Sequence, residues 1–285
     1  MTNAIEIKHL NKNYKDFGLK DISLTIPVGS VMGLIGENGA GKSTLIASIL
    51  NMTNCDYEAI RIFGKDICEK EKEIKEDMAV IFDNTHYNLE FTPEFIGKML
   101  SKVYKKWDMS LYYDYLETFN LPMKKKLKTF SRGMKMKLEF AIAFSHGAKL
   151  LILDEATSGL DPVFRDEILE ILRKYTEDED HTILMSSHIT SDLDKIADYI
   201  AYLHNGELLF VKTYDEVHEN YGIINCSREM YEALNPDDIV SYRKEAYSYK
   251  VMVKNRMEIQ KTIKNLKIER ASIEDVMLYY AKGER

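Results

Sequence analysis

The sequence predicts an α/β fold with chemistry gathered at the carboxyl edge of a parallel sheet. Three observations carry this reading. A short apolar run, Val31-Met32-Gly33-Leu34-Ile35, leads into Gly36-Glu37-Asn38-Gly39-Ala40-Gly41-Lys42-Ser43-Thr44, and Leu45 to Leu50 continues as a helix. A second run, Leu150-Leu151-Ile152-Leu153, is fully apolar, short enough for a buried central strand, and ends in Asp154-Glu155. A third, His181 to Ser187, ends at His188.

The first stretch fits G-x-x-x-x-G-K-[ST], a phosphate-binding loop, and has the strand before it and the helix after it that the motif requires. Its glycines let successive backbone N–H groups turn toward a phosphate. The helix N-terminus adds its own N–H groups and its dipole. Lys42 is placed to reach the outer phosphates, and the Ser43 hydroxyl to bind Mg²⁺. The motif fixes nucleotide binding and leaves the use of the nucleotide open.

The chain has 285 residues, enough for one large or two modest domains, and a net charge of −7. That balance argues against nucleic acid as a partner, which needs a basic face. Cys55, Cys68 and Cys226 form an odd, sparse set without C-x-x-C spacing, as expected of reduced thiols in the cytosol. There is no 18-residue apolar run. Residues 1–6 lack the charged start and apolar core of a signal peptide, so a cytosolic chain that can dock on a membrane protein is expected.

In order, residues 4–35 read as β structure. Ile5 and Ile7 alternate with Glu6 and Lys8, and Ile22, Leu24 and Ile26 with Ser23 and Thr25. Tyr14 falls in the first connection, where core packing or simple exposure is the default for a lone aromatic. Ala59–Phe63 and Met78–Phe82 are further strands around a charged helix within 69–77. Thr92-Pro93 is a helix start, followed by Phe95, Ile96, Met99, Leu100, Val103 and Tyr104 at helical spacing. Leu111, Tyr115, Leu116 and Phe119 form a second helical set, Phe130–Met134 a break, and Leu138, Ala141, Ile142 and Ser145 a third. This is a helical insert over about 90–148, and its aromatics (Tyr104, Trp107, Tyr112, Tyr113, Tyr115) read as core. Residues 163–175 and 192–200 read as helices, and Ile200–Leu203 with Glu207–Phe210 as a hairpin around His204-Asn205-Gly206. Beyond 211, a strand over 247–253 and helices over 257–266 and 273–281 make a small α/β appendix without visible chemistry.

Asp154 ends a strand as a Mg²⁺-orienting carboxylate does in P-loop enzymes. Glu155 follows at the sheet edge where ligands bind, and a carboxylate there can polarise a water for attack on a γ-phosphate. The order of parts is then specific: phosphate loop, helical insert with Phe130-Ser131-Arg132-Gly133-Met134, Leu150 to Glu155, Ser158-Gly159-Leu160-Asp161, and His188. Over about residues 4–212 this resembles the nucleotide-binding subunit of ABC transporters. The resemblance implies a RecA-like P-loop NTPase core with an N-terminal antiparallel β subdomain, a helical signature subdomain, and an accessory domain over 213–285. It implies ATP and Mg²⁺, with Tyr14 on adenine and Gly36, Asn38, Gly39, Ala40, Gly41, Lys42, Ser43 and Thr44 on the phosphates. Glu155 becomes the catalytic carboxylate, assisted by Lys42 and the switch histidine His188. Ser43, Asp83 and Asp154 become the metal ligands, and Ser158, Gly159 and Asp161 the D-loop. Ser131, Arg132, Gly133 and Met134 become the signature loop that completes the ATP site of an opposing subunit.

Two departures stand out. Arg132 and Met134 occupy the third and fifth positions of the family's Leu-Ser-Gly-Gly-Gln signature, and Asp83 stands where a glutamine is usual. Ser131 and Gly133 keep the hydroxyl and the close backbone approach. A single ATPase domain, this signature and a short appendix resemble the ABC-2-type exporters of low-GC Gram-positive bacteria, including those of antimicrobial-peptide resistance and of phenol-soluble modulin export. The expected partners are integral-membrane subunits and a second ATPase subunit, at the cytoplasmic face of the membrane. Two alternatives remain: an impaired regulatory subunit paired with a different ATPase, against which Glu155 and His188 argue, and a soluble ABC ATPase acting on ribosomes or DNA. The second lacks the paired cassettes, coiled coils or zinc motifs of such proteins.

Overall fold

The computed structural model describes residues 3–82, 86–246, 248–263 and 266–284. The N-terminal third alternates strictly enough to form sheets. β1 (Asn3–Asn13) and β2 (Gly18–Pro27) pair antiparallel, burying Ile5, Ile7, Leu10, Ile22, Leu24 and Ile26 on one face. β3 (Val31–Ile35) has every residue buried, as a strand covered on both faces must. It feeds α1 (Lys42–Ile49), after which β4 (Ala59–Ile62) returns beside β1 and pairs with the short β5 (Lys65–Asp66). The antiparallel sheet therefore has the order β2-β1-β4-β5.

α2 (Glu71–Glu76) and β6 (Met78–Ile81) lead into the helical insert. α3 (Pro93–Leu100) starts where the sequence places it, with Thr92 Oγ1 accepting the Phe95 N–H at 3.2 Å and Pro93 in the first turn. It ends sooner than the apolar spacing suggests. Lys102 and Val103 bond to carbonyls three residues back, so Val103 and Tyr104 lie beyond the helix and Val103 is exposed. α4 (Met109–Thr118) is capped by Asp108, and α5 (Arg132–Ser145) by Ser131. The aromatics of the insert do pack as core. Tyr112 is fully buried with its hydroxyl donating to Pro93 O, and Tyr104, Trp107, Tyr113 and Tyr115 pack partly buried against the same cluster.

β7 (Leu150–Asp154), α6 (Pro162–Tyr175), β8 (Thr182–Ser186) and α7 (Thr190–Ile196) complete the parallel layer. α7 begins and stops earlier than expected, and Ile200 belongs only to the hairpin strand, where the sequence also placed it. β9 (Tyr199–His204) runs parallel to β3, where Ile200 is fully buried opposite Gly33. β9 turns through Asn205 and Gly206, both at positive φ, into β10 (Glu207–Thr213). The six-stranded order is β10-β9-β3-β8-β7-β6, with all pairings parallel except that of the hairpin.

The remaining chain contains more than the sequence announced. α8 (Tyr214–Asn220) carries a full capping box from Thr213 and Glu216. β11 (Gly222–Cys226), α9 (Arg228–Ala233), β12 (Ile239–Lys244), β13 (Tyr249–Val253), α10 (Arg256–Thr262) and β14 (Ile268–Arg270) follow. Their strands make an antiparallel sheet, β12-β13-β11-β14, with its own small core around Ile224, Val251 and Val253. α11 (Ile273–Lys282) then packs back on the main body. Val276 and Tyr279 are buried in the large core, and the Tyr202 hydroxyl donates to Met277 O at 3.3 Å. Among the described residues no helix is long and apolar enough to cross a membrane.

Candidate functional site

The parallel layer brings the carboxyl ends of β3, β7 and β8 to one edge. A cleft of about 800 Å³ opens there, lined by Asp16, Phe17, Asn38, Gly39, Gly41, Lys42, Ser43, Thr44, Asp154 and Glu155. Residues separated by more than a hundred positions in sequence thus share one wall.

The phosphate loop is held from behind. A side chain at Gly36 would collide with the Leu203 carbonyl of β9 at 2.4 Å, so only glycine lets β3 exit there. Gly41 sits at φ +110°, and an added Cβ would meet Phe17 Cζ and Leu19 Cδ2, each at 2.7 Å. It precedes α1 as a cap without any side-chain hydrogen bond, leaving the first N–H groups of the helix to whatever occupies the cleft. Lys42 is nearly buried, and its ammonium donates to Gly36 O at 2.9 Å and Glu37 O at 3.2 Å, which fixes it across the loop.

Glu155 joins the two sides. Its Oε1 lies 3.5 Å from Lys42 Nζ and its Oε2 lies 3.2 Å from His188 Nδ1. Its backbone is left-handed, at φ +52°, a conformation that costs a non-glycine residue about 1–3 kcal/mol and concentrates at functional sites. Two contacts hold it so: its N–H lies 3.0 Å from Ser186 Oγ and 3.2 Å from Ser186 O. The same Ser186 hydroxyl donates to Asp154 Oδ1 at 2.6 Å across the β7–β8 register, where Asp154 and Ser186 are paired. Ser186 therefore orients both acidic residues, and sequence reading did not single it out.

Tyr14 stands at the rim rather than in the lining. It is half exposed, with its ring stacked toward Phe17 at a centroid distance of 6.4 Å and the Lys12 ammonium 4.9 Å from its centre. The ring that lines the cleft is Phe17, brought there by the tight turn in which Tyr14 N–H bonds Phe17 O. Phe17 carried no sequence signal beyond being an aromatic three residues from Tyr14.

Ser131, Arg132, Gly133 and Met134 do not line the cleft of their own chain. Ser131 caps α5, its hydroxyl accepting Met134 N–H at 3.2 Å. The Arg132 guanidinium lies beside Gly159, within 3.3–3.5 Å of where a side chain there would begin. Asp161 is the cap of α6, with Oδ1 accepting Phe164 N–H at 3.0 Å, and Ser158 N–H bonds Glu155 O at 3.0 Å. The turn between β7 and α6 is thus tied directly to Glu155. Asp83 lies outside the described residues. Among those described, no cluster of three or more His, Cys, Asp or Glu residues could hold a metal ion by itself.

Comparison with known proteins agrees with this geometry. A family profile described as "ABC transporter" matches residues 19–158. The "Bacitracin transport ATP-binding protein BcrA" of Enterococcus faecalis is 32% identical over 222 residues, covering 77% of this chain and 72% of that protein. The "Lantibiotic transport ATP-binding protein SrtF" of Streptococcus pyogenes is 32% identical, covering 74% of this chain and 91% of that one. A solved "Structure of ATP binding subunit of ABC transporter" superposes with a TM-score of 0.69 at 28% identity, over 75% of this chain and 92% of that chain. The strand-end acids, the buried lysine in its glycine loop and these relatives lead to one conclusion: the chain belongs to the ABC transporter family, as an ATP-binding ATPase subunit.

Proposed function

We propose that the subunit works as one half of a head-to-tail pair, closes over ATP, and drives export through integral-membrane subunits at the cytoplasmic face of the membrane. In this reading the N–H groups around Gly39 to Thr44 and the Lys42 ammonium hold the phosphates, and Phe17 with Tyr14 flanks the base. Glu155 takes the proton of a water as its oxygen attacks the γ-phosphorus and ADP departs. His188, already 3.2 Å from Glu155, orients that carboxylate and the γ-phosphate. Mg²⁺ would neutralise the phosphate oxygens, with Ser43 and Asp154 to hold it. Such a short protein ligand set suits an ion that takes most of its shell from phosphate and water.

The observation that carries the pairing is Gly133. It lies in the first turn of α5 at ordinary φ, and apart from Ser131 Oγ at 4.0 Å nothing stands within 4 Å of an added Cβ. Glycine inside a helix costs about 1 kcal/mol relative to alanine, and nothing in this chain requires it. A close approach from outside does, and a helix N-terminus is suited to receive a phosphate. The names of BcrA and SrtF, which speak of bacitracin and lantibiotic transport, support a peptide or other amphipathic substrate.

Mixing two inactive variants tests the pairing. Lys42→Ala lacks the lysine of the phosphate loop, and Gly133→Asp blocks the signature turn. If each site is built from both chains, the mixture hydrolyses ATP well above either variant alone. A mixture no better than its parts, at concentrations where the parent is active, overturns the reading. Retrieval of a polytopic membrane protein with the tagged chain tests the membrane partner.

A further inference from the structure

Buried polar atoms from three segments lack hydrogen-bond partners among the described residues: Thr157 Oγ1, Asp192 Oδ2 and Arg165 Nε. Thr157 is 1% exposed and Asp192 3%. Each such atom costs about 1–3 kcal/mol while it stays unmatched. Their chemistry is nonetheless complementary: a guanidinium N–H that donates, a carboxylate oxygen that accepts, and a hydroxyl that does either.

Their positions in the chain are pointed. Thr157 stands two residues after Glu155, and its carbonyl accepts Leu160 N–H at 3.3 Å. Arg165, in the first turns of α6, donates through Nη2 to Leu160 O at 3.1 Å and so grips the same turn. Asp192 lies on α7, four residues after His188, and its neighbour Leu193 packs α7 onto Gly33 of β3. Burial pushes the Asp192 carboxyl up, while the Thr157 hydroxyl and the charges of Arg165, Lys195 and His188 oppose that. The hydroxyl and the guanidinium thus lie toward Asp192.

We propose that Asp192 is a positioning residue: by pairing with Thr157 and Arg165 it couples the turn after Glu155 to the arm that carries His188, so that both reach ATP together. This rests on the roles given above to Glu155 and His188.

The test uses the full chain with Asp192→Asn, Thr157→Val and the double variant. Asn keeps the size of Asp but removes the charge that pairs with Arg165. Asp192→Asn is expected to lower kcat about tenfold with KM within about twofold, and the double variant to be no worse than Asp192→Asn alone, because both remove one coupling. A merely structural role would instead lower the melting temperature and leave kcat below it unchanged. The proposal is overturned if kcat stays within twofold of the parent, or if the two losses multiply. Should Asp192→Asn fail to fold, Thr157→Val decides by the same kcat criterion. Glu155→Gln, run alongside, separates the two levels: if it still turns over, the reading of the site fails; if it is dead while Asp192→Asn is normal, only the coupling fails.

Discussion

Replacing Glu155 by Gln isolates the proposed proton acceptor from everything else the residue does. The carboxylate has one oxygen 3.5 Å from the Lys42 ammonium and the other 3.2 Å from His188 Nδ1. An amide placed there has one sensible orientation. Its oxygen must face the ammonium, because its NH₂ would set donor against donor. Its NH₂ then faces His188 Nδ1, which can accept when the ring carries its proton on Nε2. The backbone cost of the left-handed conformation is the same for Glu and Gln, and it is the main-chain N–H of residue 155 that donates to Ser186. Loop geometry and ATP binding should therefore be retained, and the proposed general base is lost. That loss is about 10²–10⁴ in rate, or roughly 3–5 kcal/mol of barrier. Phosphate release at saturating Mg-ATP measures kcat, and nucleotide titration measures affinity. A kcat within about tenfold of the parent would refute the assignment of Glu155 as base. Equal losses of affinity and turnover would show instead that Glu155 holds the loop open through Lys42.

Three further outcomes follow from the coordinates. Lys42→Ala removes a nearly buried cation bonded to two loop carbonyls, so calorimetric ATP affinity should fall by about 10- to 100-fold, the range of one charge-assisted hydrogen bond. Gly159→Ala must hold φ +82°, which costs about 1–2 kcal/mol, and the exposed Arg132 guanidinium can swing aside. Its melting temperature should drop by about 2–8 °C, and the drop should be the same in an Arg132→Ala background. His146 is buried beneath the Tyr104 ring, and burial pushes its imidazole down to about 4, against the opposing pull of Glu76 and Asp77. Because the folded state favours neutral His146, this contribution is complete above the unfolded pKa of about 6.5 and is lost as pH falls toward 4, on the order of 3 kcal/mol in all. Denaturant melts at pH 7 and pH 4.5 should differ less for His146→Phe than for the parent.

What was legible in the sequence was what short-range rules encode. Asp154, Glu155 and His188 could be placed together because a short apolar strand has a clear end, and because parallel strands deliver their ends to one edge. Thr92-Pro93 gave the start of α3 because a cap is local. Its end was not legible: Val103 and Tyr104 continue the apolar spacing, yet the backbone has already tightened at Lys102. The helix read over 192–200 ran on into the next strand because a buried parallel strand and a buried helix look alike over a few residues. The antiparallel sheet over 222–270 was largely missed, since Gly222–Cys226 and Ile239–Lys244 alternate weakly and depend on each other through β13.

The site divides along the same line. A position is legible when its residue type answers to neighbours in sequence, and it is silent when it answers to neighbours in space. Ser186 looks like any strand serine until the β7–β8 register sets it beside Asp154. Phe17 becomes a cleft wall only because Gly41 leaves room for its ring. Arg132 departs from the family signature, and its direction could not be read until the guanidinium was seen beside Gly159. Gly133 goes one step further. Gly36 and Gly41 are explained inside the chain, by a carbonyl 2.4 Å away and by a backbone at φ +110°. Gly133 has no such internal reason. A glycine that its own fold does not need, half-buried in the first turn of a capped helix, is therefore what supports the proposal that a second surface finishes the ATP site.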